Sequence, residues 1–288
     1  MADSHVSLVP ATAFSPARLA TLLNQAYADY YLPIWLDEPR ILRMYREADV
    51  ALPYSVVAVI DQEPVGLALF SLRGEQGWIS GVGVLPSFRR QGVARRMLGY
   101  LQDQARRLGL RRVLLEVLIQ NEAGLALYQS MGFKLGRDLI ALILNPDTLE
   151  VSRLPGGILR EDLDLLLSHY TLFHDVDPSW QRAYESLLTR RPTLKGIGFR
   201  EDQQLVGYLL YQEQLHYQTI QDLAVLPTHP QRLDVGRRLL LAVHTLRPES
   251  GGCVINLPSD DPFFSLFLDL HYRIWQKQNE MVWIPDVR

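Results

Sequence analysis

The stretch of chain from Val82 to Ala94 constrains the fold more than any other part of the sequence. Apolar residues and glycines alternate at its start, basic and small residues follow, and an amphipathic segment comes after them. This order predicts a strand, a short loop and a helix. Backbone N–H groups then converge at the helix start, where a phosphate can bind. Gly92 gives the loop its backbone freedom, and Arg89 and Arg90 can add charge-assisted hydrogen bonds. A glycine at a helix start is equally compatible with simple capping.

The same pattern returns in weaker form in the second half of the chain. Two of its markers recur at one offset of 141 residues, and a third pair matches in the same order. The matched pairs are Val65-Gly66 with Val206-Gly207, Val84-Leu85-Pro86 with Val225-Leu226-Pro227, and Val6-Ser7-Leu8-Val9-Pro10 with Val151-Ser152-Arg153-Leu154-Pro155. Ordered self-similarity of this kind indicates two copies of one domain. We expect domains at residues 1–147 and 148–288, each of ordinary domain size.

Strand and helix patterns alternate within each copy. In the first copy, helices are expected from Ser15-Pro16, near Arg40, after Gly92 and from Asn121, because capping residues precede apolar residues at helical spacing. Strands are expected at residues 55–60, 65–72, 78–84, 113–119 and 133–144. This order predicts the α/β class, here as an α+β arrangement with a mixed sheet covered by helices.

Composition excludes several classes of protein. The 288 residues carry a net charge of -3 with a pI of about 6.2, without the basic excess of nucleic-acid-binding proteins. No apolar run approaches a membrane span, and no signal peptide is evident at Met1. His169 and His174 do not have the spacing of metal ligands, so no metal is expected. With Cys253 as the single cysteine, we expect a cytoplasmic protein that binds neither nucleic acid nor membrane.

The first copy resembles the GCN5-related N-acetyltransferase (GNAT) family. In that family an Arg/Gln-x-x-Gly-x-Gly/Ala loop binds the pyrophosphate of acetyl-CoA, and Arg89-Arg90-Gln91-Gly92-Val93-Ala94 fits it at every defined position. Asn121, Ala126-Leu127-Tyr128 and Met131-Gly132-Phe133 are similar to its downstream segment. The resemblance implies acetyl-CoA as co-substrate, and two tandem mixed, mostly antiparallel sheets flanked by helices. Its implied cofactor-binding residues are Val82, Gly83, Val84, Arg89, Arg90, Gln91, Gly92, Val93, Ala94, Asn121 and Tyr128.

The resemblance also implies catalytic roles for two residues. Tyr128 would protonate the thiolate that leaves when an amine attacks a thioester; otherwise it is an aromatic core residue of an amphipathic helix. Glu116 interrupts an apolar strand, where a buried carboxylate is costly unless it is paired or functional. It is placed like the glutamate of the ribosomal-protein alanine acetyltransferase branch and would remove the amine proton through a water. The alternative is a structural glutamate bonded to backbone or an arginine.

Substrate residues are expected in the first two helices and their loop. Tyr27, Asp29, Tyr30 and Tyr31 make this segment aromatic and acidic, which suits a cationic amine. A hydrophobic hairpin packed against the other domain fits the same residues. The resemblance implies transfer of an acetyl group to a primary amine, on a small molecule or a peptide, by direct attack. The alternative function is a non-catalytic acyl-CoA sensor or assembly module, and the chain is expected to be a monomer or homodimer.

The second copy departs from the family pattern at functional positions. Asp234 replaces the central glycine of the loop, and a carboxylate there repels a pyrophosphate. Leu266-Phe267 replaces the Leu-Tyr pair, and phenylalanine has no proton to give. The sequence therefore predicts a degenerate second domain that is structural or shapes the substrate site. A divergent but active copy is the alternative.

Overall fold

The computed structural model describes residues 6–149 and 155–286 and divides the chain into two compact units. The first unit consists of two segments of the chain, one up to Gly136 and one from Asn279 onward. The second unit comprises Arg137–Gln278. The expected domains, 1–147 and 148–288, divide the chain elsewhere, and that boundary between sequence copies stays a prediction. The repeat marker at Val151-Ser152-Arg153-Leu154 lies outside the described residues.

Two strands account for the way the compact units divide the chain. Strand β6 (Lys134–Leu144) belongs to the second unit from Arg137 onward, and strand β12 (Arg273–Trp283) belongs to the first unit from Asn279 onward. Met281 and Trp283 are accordingly buried in the apolar core of the first unit. The C-terminal end of the chain thus completes a core that the first half begins.

The first unit contains a five-stranded segment of sheet in the order β1-β2-β3-β4-β5. Neighbouring strands are antiparallel except β4 and β5, which are parallel. Its strands are β1 (Ser7–Pro10), β2 (Val56–Ile60), β3 (Glu63–Arg73), β4 (Gln76–Val84) and β5 (Arg112–Leu118), and its helices are α1 (Pro16–Ala26), α2 (Glu38–Ala48), α3 (Val93–Arg107) and α4 (Glu122–Ser130).

Local signals explain where these helices begin. The Ser15 hydroxyl accepts a hydrogen bond from the Arg18 N–H, and the Asn121 carboxamide accepts one from the Gly124 N–H. Each side chain satisfies an N–H that the first helical turn leaves unpaired. The predicted helix starts at both residues are therefore confirmed.

Alternation along the strands gives the sheet two apolar faces. Ala68 and Phe70 of β3 belong to the core that contains α3, and Leu67 and Leu69 belong to the core that contains α1 and α2. Successive strand residues point to opposite faces, so each residue's position assigns it to one helix layer. This assignment locates the functional residues below.

The second unit has the sheet order β6-β11-β10-β9-β8-β7. Strands β10 and β11 are parallel, and the other pairs whose registers are described are antiparallel. Its further strands are β7 (Ile158–Arg160), β8 (Lys195–Glu201), β9 (Gln204–Glu213), β10 (Tyr217–Val225) and β11 (Gly251–Pro258), and its helices are α5 (Leu163–Ser168), α6 (Tyr170–Phe173), α7 (Tyr184–Arg190), α8 (Arg232–Leu246) and α9 (Phe264–Asp269).

Both units have mixed sheets flanked by helices, and the expected fold class is confirmed. Among the described residues, the helices are too short or too polar to cross a lipid bilayer.

Candidate functional site

Strands β4 and β5 of the first unit separate partway along their length. Their parallel pairing runs from Gln76 and Arg112 to Ile79 and Leu115. At that point the register of β3 against β4 shifts by one residue, which leaves Ser80 as a β-bulge. A bulge bends its strand and increases the local twist. The end of β4, Gly81 to Val84, therefore leaves β5 and opens a cleft in the sheet.

The cleft is lined on one side by backbone groups of β4. Val82 lies opposite Ala68 of β3. Its N–H and C=O both bond the Tyr27 hydroxyl, which shows that they point away from β3. In an antiparallel ladder every second residue turns its backbone groups the same way, so Val84 also faces the cleft. The family resemblance implied cofactor binding by Val82 and Val84, and that role stays a prediction.

Tyr27, just after α1, lies across the end of β4. Its hydroxyl donates to the Val82 carbonyl oxygen at 2.8 Å and accepts from the Val82 N–H at 3.2 Å. A Cβ atom added to Gly83 would lie 2.8 Å from Ala26 Cβ and 3.0 Å from Tyr27 Cε2. Gly83 thus contributes by having no side chain, because only a glycine allows α1 and the Tyr27 ring to approach the strand this closely.

The loop after β4 has the backbone form of an anion-binding nest. Arg90 has φ +65° and Gly92 has φ +79°, and α3 begins directly after Gly92 with no side-chain cap. The first bond within the helix joins the Arg96 N–H to the Gly92 carbonyl oxygen. The preceding amides, including those of Val93 and Ala94, have no partner within the helix, so they can bind an anion together with the positive end of the helix dipole.

Side chains of the loop are committed to local contacts. Gln91 Nε2 donates to the Ser87 carbonyl oxygen at 3.0 Å, and Val93 is buried in the core against the sheet. Arg90 and Gly92 are exposed. The anion-binding capacity of this loop therefore comes chiefly from its backbone.

Arg89 connects this loop to the segment after α1. Its guanidinium makes a bidentate ion pair with Asp29, with N–O distances of 2.7 and 2.6 Å. It also donates to the Ala26 carbonyl oxygen at 3.0 Å and to the Val84 carbonyl oxygen at 3.1 Å. The hydrogen bonds from Arg89 hold the pKa of the Asp29 carboxyl below its usual range. Sequence reasoning assigned Arg89 to a pyrophosphate and Asp29 to an amine, but here they neutralise each other.

Three phenols lie together beside the cleft. The rings of Tyr27 and Tyr30 meet edge to face with centroids 4.9 Å apart, and burial raises the pKa of Tyr30. Half-buried Tyr128 of α4 is near both: burial raises its pKa well above the ordinary value, and Tyr27 and Tyr30 add to this. The Tyr128 hydroxyl therefore stays protonated at any physiological pH.

Glu116 is the first residue of β5 beyond its pairing with β4. Val113, Leu115 and Val117 point into the core on the α3 face. By alternation, half-buried Glu116 points to the opposite face, which is the face that α1 covers. The carboxylate is thus placed at the mouth of the cleft, on the same face as Tyr27.

The remaining predicted substrate residues surround the loop after α1. Tyr31 is 55% exposed and packs edge to face on Tyr30, with ring centroids 5.4 Å apart. Trp35 is 62% exposed, and the Arg40 guanidinium lies over its ring. With Asp29 bound to Arg89, this wall presents aromatic rings rather than free carboxylates.

The second unit repeats the bulge and the separation of its strands. Pairing of β10 with β11 ends at Ile220 and Val254, and the register shift beside β9 leaves Gln221 as the extra residue. Ile220 and Gln221 lie 141 residues after Ile79 and Ser80 of the first unit, so Asp222 stands where the first unit has Gly81. The backbone of the cleft is therefore conserved between the two copies, whereas its contents differ.

A buried polar cluster that sequence reasoning missed fills this second cleft. Asp222 accepts hydrogen bonds from the Tyr208 hydroxyl at 2.8 Å and from His174 Nε2 at 3.1 Å. His174 Nδ1 lies 2.8 Å from the Tyr170 carbonyl oxygen. The sequence signal for this cluster is Asp222 itself, a carboxylate within the apolar pattern of β10, just as Glu116 is a carboxylate within the apolar pattern of β5.

The contacts of His174 determine its protonation state. Both ring nitrogens face oxygens that only accept hydrogen bonds, so both must carry a proton. Burial alone lowers the pKa of His174, but the neighbouring Asp222 outweighs it and the net pKa is raised. Burial alone raises the pKa of Asp222, but His174, Arg182 and Tyr208 outweigh it and the net pKa is lowered. The two residues form a buried ion pair.

The anion-binding loop has no equivalent in the second unit. Helix α8 already begins at Arg232, which places Asp234 in its first turn, where it pairs with Arg238 at 2.8 Å. No residue between 226 and 236, all of them described, has a positive φ. Phe267, at the position of Tyr128, is fully buried in the core. Within the part of the chain that the structure describes, no cluster of side chains is arranged to hold a metal ion.

Residues 20–133 match the model of the Acetyltransferase (GNAT) family. Residues 20–133 therefore form a GNAT-family domain. The ribosomal protein bS18-alanine N-acetyltransferase of Escherichia coli K12 is 36% identical over 59 residues, 20% of this chain and 40% of that protein. An uncharacterised N-acetyltransferase of Bacillus subtilis is 37% identical over 59 residues, 20% of this chain and 38% of its own length. The chain thus spans about two fifths of the length of these curated relatives.

Solved structures extend the GNAT similarity over both units. A tandem GNAT protein from the clavulanic acid pathway has a TM-score of 0.70 at 15% identity, covering 98% of this chain and 99% of its own. A GCN5-related N-acetyltransferase from Sphaerobacter thermophilus has a TM-score of 0.73 at 18% identity, covering 97% and 95%. At such identities the likeness shows a tandem GNAT fold.

Proposed function

We propose that the chain is an acetyl-CoA-dependent N-acetyltransferase whose catalytic site lies in the first unit. The observation that carries this proposal is the combination, in one unit, of an open cleft between β4 and β5, an uncapped α3 start and a desolvated phenol at Tyr128. The second unit has the cleft backbone without the other two features.

The residues present fit the cofactor that the family uses. The amides at the start of α3 suit a pyrophosphate, and the cleft-facing N–H of Val84 suits a carbonyl oxygen of a pantetheine arm, whereas the Val84 C=O accepts from Arg89. Acetyl-CoA supplies an activated acyl group when bound. The chain itself has to hold that group, orient the amine and move two protons.

Tyr128 is the proton donor in this proposal. The Tyr128 phenol is protonated before the thiolate leaves, so it has a proton to give to that thiolate. Phe133 packs edge to face on its ring, with centroids 6.1 Å apart, and helps to hold it in place. The Tyr128 hydroxyl thus carries a proton, and the Phe133 contact helps to fix the position of its ring.

Glu116 is the proposed base, acting directly or through a water. A primary amine is mostly protonated at neutral pH and must lose a proton before it attacks. Glu116 lies on the α1 face at the point where the cleft opens. A carboxylate at this place can both attract an ammonium group and accept its proton.

The proposed acceptor is a primary amine on a small molecule or a peptide. Because Arg89 neutralises Asp29, recognition would depend on the aromatic rings of Tyr30, Tyr31 and Trp35 rather than on that carboxylate. Aromatic faces attract cationic groups. The named activity of the Escherichia coli relative is consistent with a peptide N-terminus, over the 59 residues that the two proteins share.

The proposed role of the second unit is structural or substrate-shaping. Its cleft is filled by the Asp222 cluster, and its loop is replaced by the first turn of α8. The chain would therefore work with one acyl-CoA site.

Release of free thiol from acetyl-CoA tests this function. Purified protein is incubated with pools of small amines or of peptides with free N-termini, and with the same pools after chemical N-acetylation as the matched control. We expect thiol release that requires a free amine. Binding of acetyl-CoA with no amine-dependent thiol release would instead support the acyl-CoA sensor.

A further inference from the structure

The hydroxyl of Tyr27 occupies the backbone groups at the end of β4 that a pantetheine arm would need. It bonds both the N–H and the C=O of Val82, at 3.2 and 2.8 Å. A strand edge offers one N–H and one C=O at each cleft-facing residue. With Tyr27 in this position, both backbone groups of Val82 are bonded to the phenol, and the Val84 carbonyl oxygen accepts from Arg89, so Val84 offers its N–H to a ligand.

The surroundings of Tyr27 hold it in this place. Ala26 and the Tyr27 ring pack on Gly83, where any Cβ would come within 3.0 Å of the ring. The Tyr30 ring supports it edge to face. Burial raises the pKa of Tyr27, so its hydroxyl keeps the proton that it donates to Val82. These contacts select one position for the phenol without any ligand.

We propose that Tyr27 is a gate that competes with the pantetheine arm of acyl-CoA for the backbone of Val82. This gate rests on the proposed function. Binding of the full cofactor requires the phenol to leave Val82 and to give up two hydrogen bonds. Binding of the nucleotide part alone, at the start of α3, leaves the phenol where it is.

The gate is tested by titrating CoA and adenosine 3′,5′-bisphosphate, which lacks the pantetheine arm, into the wild type and Tyr27→Phe. Phenylalanine keeps the ring but makes neither hydrogen bond, so we expect CoA to bind about five- to tenfold more tightly to the variant. The affinity for adenosine 3′,5′-bisphosphate should stay the same. Equal CoA affinities, or weaker binding to the variant, would overturn the gate.

Tyr45→Phe serves as the matched control. Tyr45 of α2 is a buried tyrosine of the same unit, and its hydroxyl has no hydrogen-bond partner among the described residues. Its replacement should leave the affinity for CoA unchanged. Should Tyr45→Phe tighten CoA binding as much as Tyr27→Phe, the effect would be general and the gate would be wrong.

Amide hydrogen exchange gives a second readout, and its measurement on the wild type does not depend on the variant folding. The Val82 N–H of the ligand-free wild type should be protected, because it donates to Tyr27, and Tyr27→Phe should lose that protection. Fast exchange at Val82 in the wild type would contradict the gate. If the wild type and Tyr27→Phe both bind adenosine 3′,5′-bisphosphate but neither binds CoA, the gate is wrong. If it binds neither compound, the proposed function fails and the gate fails with it.

Discussion

Replacement of Tyr128 by phenylalanine is expected to lower kcat for acetyl transfer by roughly a hundredfold or more, the usual contribution of a positioned general acid. The change removes one oxygen atom from a half-buried side chain and leaves its ring against Phe133. The affinity for CoA should therefore stay within about twofold, because ring packing and the α3 start are unaffected. Steady-state kinetics together with calorimetric titration of CoA measure the two quantities separately.

Tyr100→Phe is the control for this prediction. Tyr100 is a half-buried tyrosine of α3 that packs against the same apolar core as Tyr128. Its replacement should change kcat little. If Tyr128→Phe has the kcat of the wild type, another group protonates the thiolate. If kcat falls equally in Tyr128→Phe and Tyr100→Phe, the loss is a general effect of removing a phenol hydroxyl.

Loss of the Asp222 carboxylate is expected to destabilise the second unit by about 3–5 kcal/mol. The Asp222→Ala variant leaves the His174 imidazolium and the Tyr208 hydroxyl without the acceptor that both now use. Only 3% of Asp222 is exposed, so water cannot replace the carboxylate freely. Urea denaturation followed by a probe of the second unit, such as hydrogen exchange within β10, measures this loss.

The Asp164–Arg191 pair supplies the control for Asp222. It is bidentate, with N–O distances of 2.9 and 2.7 Å, but the Asp164 side chain is 70% exposed. Pairs of this kind contribute about 0–1 kcal/mol, so Asp164→Ala should have a small effect. Similar losses in Asp164→Ala and Asp222→Ala would show that burial of the His174–Asp222 pair does not matter.

The same ion pair predicts how stability varies with pH. The raised pKa of His174 means that its contribution is complete below its unfolded pKa of about 6.5 and is lost as pH rises through the folded value. The lowered pKa of Asp222 means that its contribution is lost as pH falls below about 4. The free energy of unfolding of the wild type should therefore decline as pH rises above about 6.5, and Asp222→Asn should remove that part of the decline.

Local features of the site could be predicted from the sequence, because their physical cause is local. Ser15 and Asn121 cap the helices that they precede, and Gly92 adopts the positive φ that its loop requires. Each depends on residues within one turn. The family motif from Arg89 to Ala94 specified the same loop.

The contacts that the sequence did not predict join residues far apart in the chain. Tyr27 meets Val82 across 55 residues, and Arg89 meets Asp29 across 60. Residue types alone marked Arg89 and Asp29 as ligand-binding, because nothing local shows that opposite charges satisfy each other. The end of β12, which lies in the first unit, likewise depends on packing of Met281 and Trp283 that no local pattern encodes.

The two copies also differ in the residues that precede the loops after β4 and β10. Gly81 of the first copy corresponds there to Asp222 of the second. Gly81 lies on an open cleft, whereas Asp222 fills its counterpart with a charged cluster. This difference, together with Asp234 and Phe267, is the basis for expecting one working site.

The number of acetyl-CoA molecules bound per chain tests the central claim most directly. Calorimetric titration should give one site in the wild type and in Asp234→Ala. Gly92→Asp should bind none measurably, because a carboxylate at the start of α3 takes the place of the anion and repels a pyrophosphate. Two sites per wild-type chain, or one site of undiminished affinity in Gly92→Asp, would contradict a single acyl-CoA site in the first unit.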